Sequence, residues 1–219
     1  MALVTACGIT VAVLGALFYH GGSPDALDKA VFSAVWPHRR GLAPLAPAVG
    51  PVPVGVATAV LCYCCLALRR YTGAIMLALA VPAASGSTEL LKHLIHRIYL
   101  GFLSFPSGHT TATFALITCV VVLLVEPPAR TTPRSMRVVL AVLSVGFGGL
   151  VALGLVAARW HYFTDTIGGA AMGIGVTLVV ALALDLAAAR RDRSNVAAAA
   201  PRKRPRAPRS GPAAPAEHG

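Results

Sequence analysis

The feature that most constrains this chain is a series of long, nearly uncharged apolar stretches. They cover about residues 2–19, 52–68, 73–91, 110–125, 138–158 and 166–188. A helix needs about 20 mainly apolar residues to cross a bilayer. In lipid the backbone must satisfy its own hydrogen bonds, so such stretches become helices. Only 12% of the residues are charged, about half of what a soluble domain carries. The expected fold is all-α: a polytopic membrane bundle of about six transmembrane helices formed by residues 1–189. The first stretch lacks a basic leader, so it reads as an uncleaved span. Five cysteines, Cys7, Cys62, Cys64, Cys65 and Cys119, all lie inside apolar stretches and read as packing residues, not as disulfide or metal sites.

Between the spans the chain gives local signals. Ser23-Pro24-Asp25 reads as a helix start with Ser23 as the cap. The short amphipathic segment that follows, to Trp36, is expected along the membrane surface. A Pro/Gly/Ala-rich connection then runs to Gly50. The third span carries Pro82, Ser85, Ser87, Thr88 and Glu89 in its second half, so that half is expected to be broken and to face protein or a water-filled cavity. Residues 190–219 are rich in Ala, Pro and Arg without an apolar period, and read as a disordered basic tail.

Charge gives an orientation. The loops at 69–72 and 126–137, with the tail from 190, hold 13 of the 19 Lys and Arg. The positive-inside rule makes that side cytoplasmic and puts both termini there. The expected location is the plasma membrane. The net charge of +11 is thereby a topological signal. Nucleic-acid binding would need a folded basic face or an aromatic platform, and neither is readable.

Two polar stretches emerge together on the opposite, extracytoplasmic face. The first, KHLIHRIYLGFLSFPSGH, runs from Lys92 to His109. Ser107 is placed to cap the next helix, with Gly108 and His109 in its first turn. A helix start offers free N–H groups and the positive end of the dipole to an anion. Lys92 and Arg97 add positive charge. They can meet one phosphate only if the helix ends between them, because a continuous helix would point them about 140° apart. The plainer alternative is a Pro-Ser-Gly turn that only starts a helix. The second stretch is RWHYFTD, from Arg159 to Asp165. His161 and Asp165 are four residues apart and share a helix face, so the carboxylate can hold one ring nitrogen and leave the other as nucleophile or base. The plainer alternative is a helix-end His–Asp pair. His93 and His96 lack a third ligand nearby and read as exposed interfacial histidines.

Together the two stretches resemble the type 2 phosphatidic acid phosphatase family, which also includes vanadium haloperoxidases, in an actinobacterial-type membrane branch. Pro106-Ser107-Gly108-His109 matches that family's second motif. His161 and Asp165 match the end of its third motif, and Lys92 the start of its first. Where the first motif carries arginine this chain has Tyr99, with Arg97 nearest. Where the third carries Ser-Arg it has Gly154-Leu155, with Arg159 nearest.

The resemblance implies a phosphatase that needs no metal or other cofactor. In it His161 would be the nucleophile, Asp165 its orienting partner, and His109 the proton donor to the leaving oxygen. Lys92, Arg97, Ser107, Gly108 and Arg159 would hold the phosphoryl oxygens. The implied substrate is a membrane lipid phosphate: a polyprenyl pyrophosphate or phosphate, phosphatidate or phosphatidylglycerophosphate. The competing expectation is a non-catalytic membrane protein that binds lipid phosphate or a partner through a degenerate site.

Overall fold

The computed structural model describes residues 1–125 and 133–199. Eight helices carry the fold: α1 (Ala2–Leu17), α2 (Ala26–Val35), α3 (Arg39–Leu42), α4 (Pro51–Ala67), α5 (Tyr71–Ile95), α6 (Gly108–Val125), α7 (Arg134–Ala157) and α8 (Phe163–Ala199). A two-stranded hairpin of β1 (Ile98–Tyr99) and β2 (Phe102–Leu103) joins α5 to α6, a feature too short to show in the hydropathy pattern.

Helices α5, α6, α7 and α8 are each long and apolar enough to cross a membrane. The stretch from Ala26 to Ala67, bent by 57° at Gly50, passes the same test only when its two parts are counted as one broken span. The sixth expected crossing rests on α1, which is apolar but only 16 residues long. Ile9, Val60, Tyr63 and Leu143 are more than half exposed on α1, α4 and α7. Such an apolar outer surface belongs against lipid. The protein is therefore a multi-pass membrane protein built as a helical bundle.

Two local expectations are corrected. Helix α2 is capped by Asp25 and not by Ser23. The Asp25 carboxylate accepts from the Asp28 N–H at 2.6 Å, and the Asp28 carboxylate accepts from the Asp25 N–H at 3.3 Å. Two acids can close this reciprocal box as Ser and Glu do elsewhere. The Pro/Gly/Ala-rich connection before Gly50 joins the core: Ala46 and Val49 are buried against Val151 and Leu155 of α7. Gly154 permits this, since a Cβ there would stand 2.8 Å from the Leu42 carbonyl oxygen. Finally, α5 is unbroken. Its polar half stays helical because the side chains find partners across the bundle, as where Thr88 Oγ1 donates to Thr111 Oγ1 at 3.0 Å.

At the start of the expected tail, helix continues to Ala199, nine residues past Arg190. Alanine-rich sequence supports helix without an apolar period. The loop at 126–132 and residues 200–219 lie outside the described residues.

One seam positions the site. On α8, Gly169 and Gly173 meet the α6 backbone directly. A Cβ at Gly169 would collide with the Ser107 carbonyl oxygen, and one at Gly173 with the Thr111 carbonyl oxygen. The small-x3-small spacing thus brings the two helices into backbone contact.

Candidate active site

Each of the two polar stretches is shaped by a helix end. Helix α5 stops at Ile95 because His96 takes a left-handed conformation, φ 55°, and its N–H closes on the Lys92 carbonyl. The chain then turns through the hairpin and enters α6 at Gly108. Ser107 is the cap expected from the sequence: its Oγ accepts from the Thr110 N–H at 3.3 Å, and its carbonyl accepts from the Thr111 N–H at 2.9 Å. The Gly108 and His109 N–H groups fall in the first turn, where a helix has no partners of its own to offer. Across the site α7 ends at Ala157, and Arg159 turns the chain with φ 60°. The Asp165 carboxylate then accepts from the Tyr162 N–H at 3.1 Å and fastens the start of α8. The two stretches are tied directly, since the Ser107 N–H donates to the Asp165 carbonyl at 3.0 Å.

The result is a cavity of about 680 Å³ lined by Lys92, His109, Arg159, Trp160 and His161 among others. The rings of His109 and His161 lie 5.8 Å apart, centre to centre. Lys92 Nζ donates to Glu89 at 2.8 Å; Lys92 is mostly covered and Glu89 mostly exposed. A Cβ on Gly108 would be 3.5 Å from Lys92 Nζ, so the bare Gly108 backbone is open to the same ammonium. A second cavity, of about 380 Å³, shares Glu89, Lys92 and His109 with the first. It runs between α4, α5 and α6 along apolar residues such as Val54, Val81 and Ala112.

Most sequence-derived candidates converge here, but two sit differently. Ser107 is fully buried and its hydroxyl is taken up in capping; it accepts from Thr110 Oγ1 at 3.1 Å as well. Arg97 does not reach the cavity at all. The helix does end between Lys92 and Arg97, but Arg97 turns inward and is fully buried. It donates to Asp165 at 2.6 Å, to Asp28 at 2.8 Å and to Thr164 Oγ1 at 2.7 Å. Its guanidinium is stacked 3.6 Å from the centre of the Phe18 ring. A guanidinium is well suited to bridging two carboxylates in a fixed plane. The expectation that Arg97 binds phosphate is therefore corrected: two buried carboxylates claim it first.

Asp28 was not singled out by sequence reasoning. It lies on α2, is buried, and also accepts from the Thr164 N–H at 2.9 Å. Its one visible signal is an acid in the first turn of an amphipathic helix, a common feature without a distant partner in view. Tyr99 replaces the family's arginine in sequence but not in charge. Its ring lies 4.3 Å from that of Tyr162, whose hydroxyl donates to the Gly22 carbonyl at 3.0 Å. Burial, followed by the Tyr99 neighbour, raises the Tyr162 pKa above its ordinary value and keeps the phenol neutral. Leu155 is fully buried in the core and points away from the cavity. His93 and His96 are exposed, as expected.

His161 is 9% exposed. Its Nδ1 faces Asp165 Oδ2 at 3.9 Å, too long for a hydrogen bond, and has no partner among the described residues. Catalytic hydrogen bonds in unliganded sites are often long in this way. The arrangement leaves Nε2 as the nitrogen available to a reacting group.

The PAP2 superfamily model matches residues 54–187 of the chain. Among solved structures, the chain is similar to a transmembrane PAP2-type phosphatidylglycerolphosphate phosphatase from Bacillus subtilis. The identity is 18% and the TM-score 0.68, over 82% of this chain and 94% of that one. No curated protein matches the chain by sequence.

Proposed function

The chain belongs to the PAP2 superfamily, and on that premise we propose that it is a membrane phosphatase acting on the phosphate of a lipid. The observation that carries this reading is the junction of the two cavities at Lys92 and His109. A chamber lined by cations and two histidines shares those wall residues with a cleft between membrane helices. An amphiphile can place its phosphate in the first and its chain in the second.

In this reading His161 Nε2 attacks phosphorus and forms an N–P bond while the P–O bond to the lipid breaks. His109 gives its proton to the departing oxygen. It then takes a proton from the water that attacks the phosphohistidine, which releases phosphate and restores His161. Asp165 supports the positive charge on the ring. Lys92, Arg159 and the first-turn N–H groups of α6 stabilise the phosphoryl oxygens. No step calls for a metal ion. The distribution of Lys and Arg favours the extracytoplasmic face for the site. Polyprenyl phosphates, phosphatidate and phosphatidylglycerophosphate all have the required shape.

The test is phosphate release by purified protein in detergent from a panel of these lipids, with EDTA and with vanadate. Release that survives EDTA and falls with vanadate supports the reading; loss with EDTA that Mg²⁺ restores overturns the metal-free mechanism. The withdrawal of Arg97 from the cavity favours one other reading, a site that binds lipid phosphate without cleaving it. Binding of these lipids with no release would establish it. Sidedness is read by a cysteine replacing Phe102, which is 77% exposed on the hairpin, in a cysteine-free background. Labelling of intact cells by an impermeant thiol reagent is the expected result.

A further inference from the structure

We propose that Asp28 is a positioning residue for His161, acting through Arg97 to keep part of the negative charge of Asp165 available to the nucleophile. The catalytic consequence rests on the phosphatase reading above; the electrostatic core does not. Four elements meet in this cluster. Helix α2 gives Asp28, the segment after α5 gives Arg97, and α8 gives Thr164 and Asp165. His161, just ahead of α8, closes it.

The reasoning is a matter of charge count. Arg97 is one cation between two carboxylates, at 2.8 Å from Asp28 and 2.6 Å from Asp165. All three side chains are at most 1% exposed, so water screens them little. The trio carries one net negative charge. The nearest group that can take up a balancing positive charge is His161, whose unpartnered Nδ1 already faces Asp165. Without Asp28, Arg97 would neutralise Asp165 alone, and the ring would gain nothing from becoming cationic. Attack on phosphorus makes it cationic. Asp28 thus occupies Arg97 and leaves Asp165 free to serve the histidine.

Other charges facing His161 are fixed by the same fold and weigh mostly the other way. Lys92 with Glu89 comes from α5, His109 from α6, and Arg159 from the end of α7. Lys29 of α2 lines a small cavity of about 290 Å³ that His161 also lines, together with Tyr99 and Tyr162. Cations therefore outnumber anions around the open faces of His161. The buried trio is the counterweight.

The experiment is an NMR titration of His161 in detergent, assigned by loss of its signal in His161→Ala, alongside single-turnover phosphohistidine formation from an aryl phosphate. Asp28→Asn keeps the acceptor for the Thr164 N–H but removes the charge. It should move the His161 midpoint down by at least about half a pH unit, less than the roughly 1–3 units of a directly adjacent charge because Asp28 acts through Arg97. Phosphohistidine should form about tenfold more slowly. Asp28→Glu should keep the wild-type midpoint. The decisive variant is Asp28→Asn combined with Arg97→Gln, which restores one net negative charge while removing more contacts. It should return the midpoint towards the wild-type value, an outcome a purely structural role would not give. If Asp28→Asn does not fold alone, because its amide NH2 would face the Arg97 and Thr164 donors, the double variant carries the test. A midpoint unchanged in Asp28→Asn, or a double variant shifted further down, overturns the proposal. The titration is read without turnover. A wild-type protein that releases no phosphate would sink the phosphatase reading and leave the test of Asp28 intact.

Discussion

The two sides of His161 are built on opposite principles. The cavity side is made of long side chains at helix ends, Lys92, His109 and Arg159, around a space of about 680 Å³. The inner side is made of short, fully buried contacts: Asp28, Arg97, Thr164 and Asp165, joined by bonds of 2.6–3.0 Å. Groups on the open side can move to meet a phosphate and are screened by water. Groups on the closed side cannot move, and their charges act at close to full strength. Two arginines that look equivalent in sequence fall on different sides, and so they serve different ends. Arg97 holds the frame and Arg159 faces the space where substrate would be.

Substitutions can sharpen this contrast. The largest effect is expected at the boundary itself. His161→Ala should abolish turnover on lipid and aryl phosphates alike with the fold intact, read by phosphate release and by gel filtration. Next comes the closed side. Arg97→Ala leaves two buried carboxylates without their cation, a loss of about 3–5 kcal/mol. It should appear as a large drop in melting temperature in detergent. A normal melting temperature with lost activity would return Arg97 to the substrate side and break the comparison. On the open side, His109→Ala should slow single-turnover cleavage of a lipid phosphate by about 10²–10⁴, and of a nitrophenyl phosphate far less. A nitrophenolate leaves without a proton, whereas a lipid alkoxide does not. Equal losses would remove His109 as the proton donor. Arg159→Ala is expected to be the mildest, with kcat/KM down about tenfold and no change in melting temperature.

The open side was legible in the sequence because its residues sit in two short motifs at helix ends. Ser107 as a cap and His161 close to Asp165 could both be placed by local spacing. The closed side was not legible for the same reason. Asp28 and Arg97 are 69 residues apart, and nothing near either names the other. Arg97 read as a phosphate ligand because proximity to Lys92 in sequence was the only guide to its direction. Its true direction is set by a left-handed residue at His96 and by the Phe18 ring, both of which are tertiary facts. Leu155 is a complementary case. Its position in the motif suggested a missing arginine, and its burial beside Ala46 and Val49 shows a site where a charge would have no partner. The helical bundle was readable from hydropathy, except for α1, whose short length leaves the count of crossings to packing.

The seam between α6 and α8 has a mechanical consequence. His109 and His161 stand at the tops of two rods that touch lower down, at Gly173, ten residues into α8 from Phe163 and so about 15 Å below. At that point the rods are separated only by hydrogen atoms, with no side chain to yield. A methyl group at Gly173 would act as a wedge between the rods, because it would collide with the Thr111 carbonyl oxygen. The two rings, 5.8 Å apart, thus stand on rods whose close approach is allowed by two residues that have no side chain to contribute.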